Sequence, residues 1–341
     1  MIIRLDVTPS SSADFKIHVS LNGQSLGQHS LPSVRWRELS LIIDHFRFLF
    51  VRVTPPEIKQ ATITSTGIEL FDVFLAPYWS AISSQQNADD PLLLVIHSPI
   101  PEILHLPWEA LLTPLALPWV LNHNRSIRRT SKHFFCASSP LFRHPVKVLI
   151  HTTKASVAMP PFTNSHTLTF HINPTGRMSD LIHGIKTFKP HLLILHGTMM
   201  VRMKRGFLLF VDEEGEADPK TGEEIFETVL KDSDIHCVIV SGREPNHPPP
   251  WSASALLADA INQAGIPVTL SWPDSIQDNL FHKLFLDALA QGSTIDDALG
   301  LGRTVVNQQD CSINEPLWSL PWVFGPAEGT NILKHEITSV L

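Results

Sequence analysis

The chain has 341 residues, enough for one large or two ordinary domains, and its 43% hydrophobic against 17% charged residues exclude an overall disordered polymer. The formal net charge of −7 argues against nucleic acid as a main partner, because phosphate binding needs a concentrated basic face. Three widely spaced cysteines, Cys136, Cys237 and Cys311, form no CxxC pair, so neither a zinc site nor a disulfide framework is suggested, and no metal or cofactor is expected. The opening MIIRLDVTPSSS lacks the basic start and apolar core of a signal peptide, and ALLTPLALPWVL is too short and too proline-broken to span a bilayer. A soluble, cytoplasmic protein without a membrane contact is the expectation.

In chain order, residues 1–65 read as a β-rich segment. IIRLDV and FKIHVSL alternate like half-buried strands, Asn22-Gly23 is a hairpin-turn signal, and FRFLFVRV (46–53) reads as a further strand closed by Pro55-Pro56. A helix is predicted over 67–83, kinked at Pro77. From residue 90 strands and helices alternate. Strands are predicted at 92–97, 146–152, 168–173, 191–197, 206–212, 235–240, 267–272 and 322–326, and helices at 106–112, 178–188, 222–230, 252–264, 275–291 and 294–306. The basic run Arg125 to Lys132 reads as a solvated loop and helix end. Strands such as VKVLIHT show no polar alternation, as when both faces are covered. The fold class is therefore α/β: a three-layer sandwich over 66–341, with a mostly parallel central sheet and helices on both faces, plus the small β-rich addition of 1–65.

In such sheets function gathers at the carboxyl ends of the strands. Two of these ends carry chemistry here, His196-Gly197 and Ser241-Gly242-Arg243-Glu244. A histidine at one strand tip and a nucleophile at the neighbouring tip is a cysteine-peptidase arrangement. The imidazole orients or polarises, a thiolate attacks, and backbone N–H groups hold the oxyanion. Gly197 would let the chain turn and keep an amide accessible. His97, His151 and His191 also lie at or near strand ends, so His-Gly alone does not name the site.

Several segments together carry a resemblance. LLLVIHSPIPEILHLPWEALL, HLLILHG, the acidic stretch after FLLFVD, NQAGIPVTLSW, ALAQGSTIDDAL and WSLPWVFGP follow one another in the order of the CHAT family, a caspase-like branch of cysteine peptidases related to separases. The resemblance spans roughly 66–328 and implies a caspase-like sandwich with His196 as the catalytic histidine. The family's nucleophile segment, Leu-Ser-Ala-Cys-Glu, falls without gaps on Val240-Ser241-Gly242-Arg243-Glu244, so Arg243 stands where the cysteine belongs, and a shift by one residue puts Gly242 there. Neither attacks a carbonyl, since arginine stays protonated. The family's Asp four residues after the strand-ending Trp272 is replaced by Ile276, flanked by Asp274 and Asp278, which could cap the next helix or pair with Arg243.

The resemblance thus implies a pseudopeptidase that works by binding: a scaffold, adaptor or regulatory subunit in a bacterial signalling or defence assembly. Its partner is another protein chain, a sensor, an active peptidase or an effector subunit, met through tryptophans and proline-rich loops. Two alternatives stand beside it. One is an active caspase-like peptidase using His196 with Ser241 or Cys237, Cys311 being a more remote candidate. The other is an anion or acidic-peptide binding module built on Arg243.

Overall fold

The computed structural model describes residues 1–10, 14–51, 54–86, 90–114, 118–122, 124–131, 145–153, 164–243, 252–273, 279–309 and 321–325. The N-terminal part contains β1 (Ile2–Pro9), β2 (Phe15–Leu21), β3 (Gln24–Leu31), α1 (Ser33–Val51), α2 (Pro56–Phe74), α3 (Trp79–Ser83), β4 (Leu92–His97), α4 (Pro101–Leu104) and β5 (Arg125–Thr130). The remainder runs β6 (Val146–Thr152), β7 (Leu168–Asn173), α5 (Met178–Phe188), β8 (Leu192–Arg202), β9 (Arg205–Val211), β10 (Ala217–Thr221), α6 (Gly222–Ile225), β11 (Cys237–Arg243), α7 (Ala253–Ala264), β12 (Val268–Pro273), α8 (Asn279–Ala290), α9 (Ile295–Gln309) and β13 (Trp322–Phe324).

The strands form one sheet in the order β10-β9-β8-β11-β12-β13-β5-β4-β1-β2-β3, with β6 and β7 branching from β8. Strands β7, β6, β8, β11 and β12 are parallel neighbours, and β13 runs antiparallel beside β12. Burial explains their unbroken apolar sequences. In β11, Cys237 and Ile239 face a core closed by Phe281, Phe285 and Leu289 of α8 and Leu299 of α9. Val238 and Val240 face the opposite core with Leu181 of α5 and Leu257 and Ile261 of α7. Two covered faces leave no position for a polar alternation. This is the α/β sandwich that the strand pattern implied, a mostly parallel central sheet with helices on both faces, and it is consistent with the caspase-like form that the resemblance implied.

The N-terminal part departs from expectation beyond Leu31. The residues read as a strand at 46–53 lie in α1 up to Val51, because Leu39, Phe46 and Leu49 recur at helical spacing and pack into one core with β1, β2 and β4. Packing outranks the local β preference of an aromatic, β-branched run. Helix α2 starts at Pro56, with proline in its first turn, and ends at Phe74; Pro77 then sits in a separate 3-10 turn, Ala76–Tyr78, so the expected kink is a break. The division at 65/66 falls inside α2, and β1 pairs with β4 in the common sheet. Asn22-Gly23 does make the hairpin turn, with φ of 50° and 83°. The segment 106–112 forms a short 3-10 turn, Trp108–Ala110, after α4.

The basic run is the largest correction, because Arg125–Thr130 is buried strand β5 between β4 and β13. Arg128 and Arg129 are fully buried, and successive side chains of a strand leave by opposite faces. Arg128 donates to Asp296 of α9 at 2.7 Å. Arg129 donates to both oxygens of fully buried Glu109, at 2.8 and 2.5 Å, and lies 4.5 Å from the centre of the Trp322 ring. Arg303 of α9 joins them, 3.7 Å from Glu109 and hydrogen-bonded to the Pro321 carbonyl. Burial pushes its guanidinium down to about 10, against the opposing pull of Glu109. The glutamate of LPWEALL is thus the counter-charge that lets the basic strand enter the interior.

Candidate functional site

The parallel pairing of β8 and β11 sets Ser241 opposite His196, Gly242 opposite Gly197 and the backbone of Arg243 opposite Thr198. On its other side β11 sets Ser241 opposite Trp272. Side chains at one register level of parallel strands share a face, so His196, Ser241 and Trp272 leave the sheet together on the α8/α9 side. The His196 ring and the Ser241 hydroxyl meet, Nδ1 to Oγ, at 2.8 Å. Both residues are buried, as is Trp272, whose ring stacks on His282 with centres 4.2 Å apart and packs edge-on against Phe281.

The two glycines are required by close backbone approach. Gly242 has φ 137°, and a Cβ there would lie 1.9 Å from the Gly197 carbonyl oxygen. A Cβ on Gly197 would lie 1.7 Å from Thr153 Oγ1 at the end of β6, where the Thr153 N–H donates to the His196 carbonyl at 2.8 Å. Position 242 therefore has no room for a nucleophilic side chain, which removes the alternative alignment that put the family's cysteine there. His196 also does not end its strand. Pairing with β6 stops at His196, and β8 then continues to Arg202 as one arm of a hairpin with β9.

The structure thus brings together His196, Gly197, Ser241, Gly242 and Trp272, with the Arg243 backbone on the same edge. Glu244, Asp274 and Asp278, together with Cys136 and Cys311, lie outside the described residues. Cys237 is at the wrong end of β11: it pairs with Leu192, four residues before His196, roughly 13 Å away along the strand. It is fully buried, and burial pushes its thiol up to about 12, so it holds no thiolate near neutrality.

The other strand-end histidines have their own settings. Nδ1 of His191 accepts the Lys147 N–H at 3.2 Å, and burial with the nearby Lys147 charge lowers its pKa to about 4. His151 is fully buried and stacked on Phe210, and burial lowers it to about 4 as well. His97 sits 2.8 Å from Asp6, whose pKa stands at about 2: burial opposes its ionisation, but hydrogen bonds from His97 and Arg4 outweigh that cost. No group of three or more His, Cys, Asp or Glu among the described residues is placed to hold a metal ion.

No family model matches the chain, and no curated protein matches it in sequence. Among the described residues no helix is long and apolar enough to cross a membrane. Sequence reasoning offered Ser241 with His196 only as an alternative beside Cys237, and it missed the buried Arg129–Glu109 pair. The first had a signal, because counting along two adjacent parallel strands puts the residues level once the register is known.

Proposed function

We propose that this chain is a CHAT-type pseudopeptidase that acts as a binding subunit, holding or regulating a second protein chain. The observation that carries this reading is what stands around His196. The residue in reach is a serine, and the cysteine of the same strand is at its far end; the resemblance sets the family's cysteine two positions beyond that serine, at Arg243. A buried serine hydroxyl lacks the intrinsic reactivity of a thiolate. Arginine at position 243 keeps its charge at any relevant pH, which suits a carboxylate ligand such as an acidic side chain of a partner peptide. A separate sensor, peptidase or effector chain, in a bacterial signalling or defence setting, is the partner class that the family resemblance supplies.

The 2.8 Å contact between Ser241 and His196 favours one second reading, a serine hydrolase in which His196 is the base. One experiment separates the two. The purified chain is incubated with a peptide library and with a fluorophosphonate probe, beside Ser241→Ala and His196→Ala. The binding reading expects no cleavage and no label above background. Label on Ser241, with cleavage lost in Ser241→Ala, overturns it.

A further inference from the structure

A cavity of about 370 Å³ lies apart from the His196–Ser241 pair, where three segments distant in sequence meet. They are the first turn of α4, the turn between β8 and β9, and one stripe of α7 together with the start of α6. Its volume falls in the ordinary range of small-ligand pockets.

The walls carry opposite charge. The hairpin supplies Lys204 and Arg205, while the helices supply Asp259, Glu223 and the amide of Gln263. Positions 256, 259, 260 and 263 form a single helical stripe, so Leu256 and Ala260 put a short apolar floor between the polar groups. Asp259 is only 5% exposed and takes a hydrogen bond at Oδ2 from Gln263 Nε2 at 2.9 Å.

The opposite wall is fixed. Met203 and Lys204 both have positive φ, 51° and 61°, as in a tight two-residue hairpin turn. Gly206 lets the hairpin lie directly on α7, since a Cβ there would come 2.6 Å from the Ala253 carbonyl oxygen. Lys204 also reaches Glu102 of α4 at 3.5 Å, which ties the mouth to the N-terminal part.

A purely anionic ligand would meet the carboxylates, and a purely cationic one would meet Lys204 and Arg205. A ligand with both charges and a short spacer suits both walls. We infer that the cavity binds a small zwitterion of the amino-acid or short-peptide class, its ammonium toward Asp259 and Glu223 and its carboxylate toward Arg205 and Lys204.

Calorimetric titration of the full chain with glycine, triglycine, N-acetyl-triglycine and triglycine amide tests this. Saturable binding of glycine or triglycine is expected, the tighter of the two deciding between a free amino acid and a peptide end. Each capped peptide, and each of Asp259→Asn and Arg205→Gln, should weaken binding by about tenfold or more, the loss expected for one charged hydrogen bond. Ser241→Ala should bind unchanged. The exposed Arg205→Gln and Glu223→Gln carry the test if Asp259→Asn fails to fold. No saturable heat for either free probe up to about 10 mM, a level that already reports very weak binding, overturns the inference, as does binding that ignores both charge variants.

Discussion

Replacing Gly242 by alanine tests the closest contact in the site. The new Cβ would stand 1.9 Å from the Gly197 carbonyl oxygen, 2.6 Å from its nitrogen and 2.8 Å from its carbonyl carbon. Real Cβ atoms essentially never come within 3.0 Å of such a neighbour, so β8 and β11 must part by about 1 Å. All three neighbours are backbone, and no side chain can swing aside. The cost has three parts: overpacking of about 1–3 kcal/mol, a positive-φ penalty of about 1–3 kcal/mol, and about 1 kcal/mol for each ladder hydrogen bond lost. Their sum, about 3–7 kcal/mol if one such bond is lost, is a large part of a typical stability of about 5–15 kcal/mol.

Gly215 supplies the control, because it also has positive φ, 91°, yet an added Cβ there meets nothing within 4 Å. Urea unfolding followed by circular dichroism should show Gly215→Ala losing only the conformational part, about 1 kcal/mol. Gly242→Ala should lose at least about 2 kcal/mol more. Equal losses in the two variants, within about 1 kcal/mol, would refute the glycine-on-glycine contact and with it the claim that position 242 has no room for a nucleophile.

Two further outcomes concern the interior. Glu109→Gln should cost about 3–5 kcal/mol in the same unfolding assay, because it strips the counter-charge from fully buried Arg129 and from Arg303; a loss under about 1 kcal/mol would mean that water already reaches the pair. His151 is held at about 4, below its ordinary 6.5, so its neutral form stabilises the fold above that ordinary value and the contribution is lost as pH falls from 6.5 through about 4. The loss amounts to up to about 3 kcal/mol, and His151→Leu should remove that part of the acid-side decline; an unchanged pH profile would place the ring in contact with water.

The alternation of apolar strands and helices from residue 90 onward was legible because it reports burial on two faces, a property each segment carries by itself. The same holds for the Asn22-Gly23 turn, where the residue types select the backbone conformation. That His196 and Ser241 close apolar runs was legible too, although β8 continues past His196 to Arg202; their contact was offered only as one alternative. It depends on the register between β8 and β11, which a sequence contains only through the packing of every strand in the sheet. Charge misled most: Arg128 and Arg129 look solvated in sequence, and only a partner 20 residues earlier, Glu109, and one in α9, Asp296, make their burial tolerable. Local pattern therefore determined which segments are strands or helices over most of the sandwich. The tertiary structure alone decided which polar groups face one another, because a buried charge or a hydroxyl–imidazole pair is stabilised by a neighbour that the chain brings from far away.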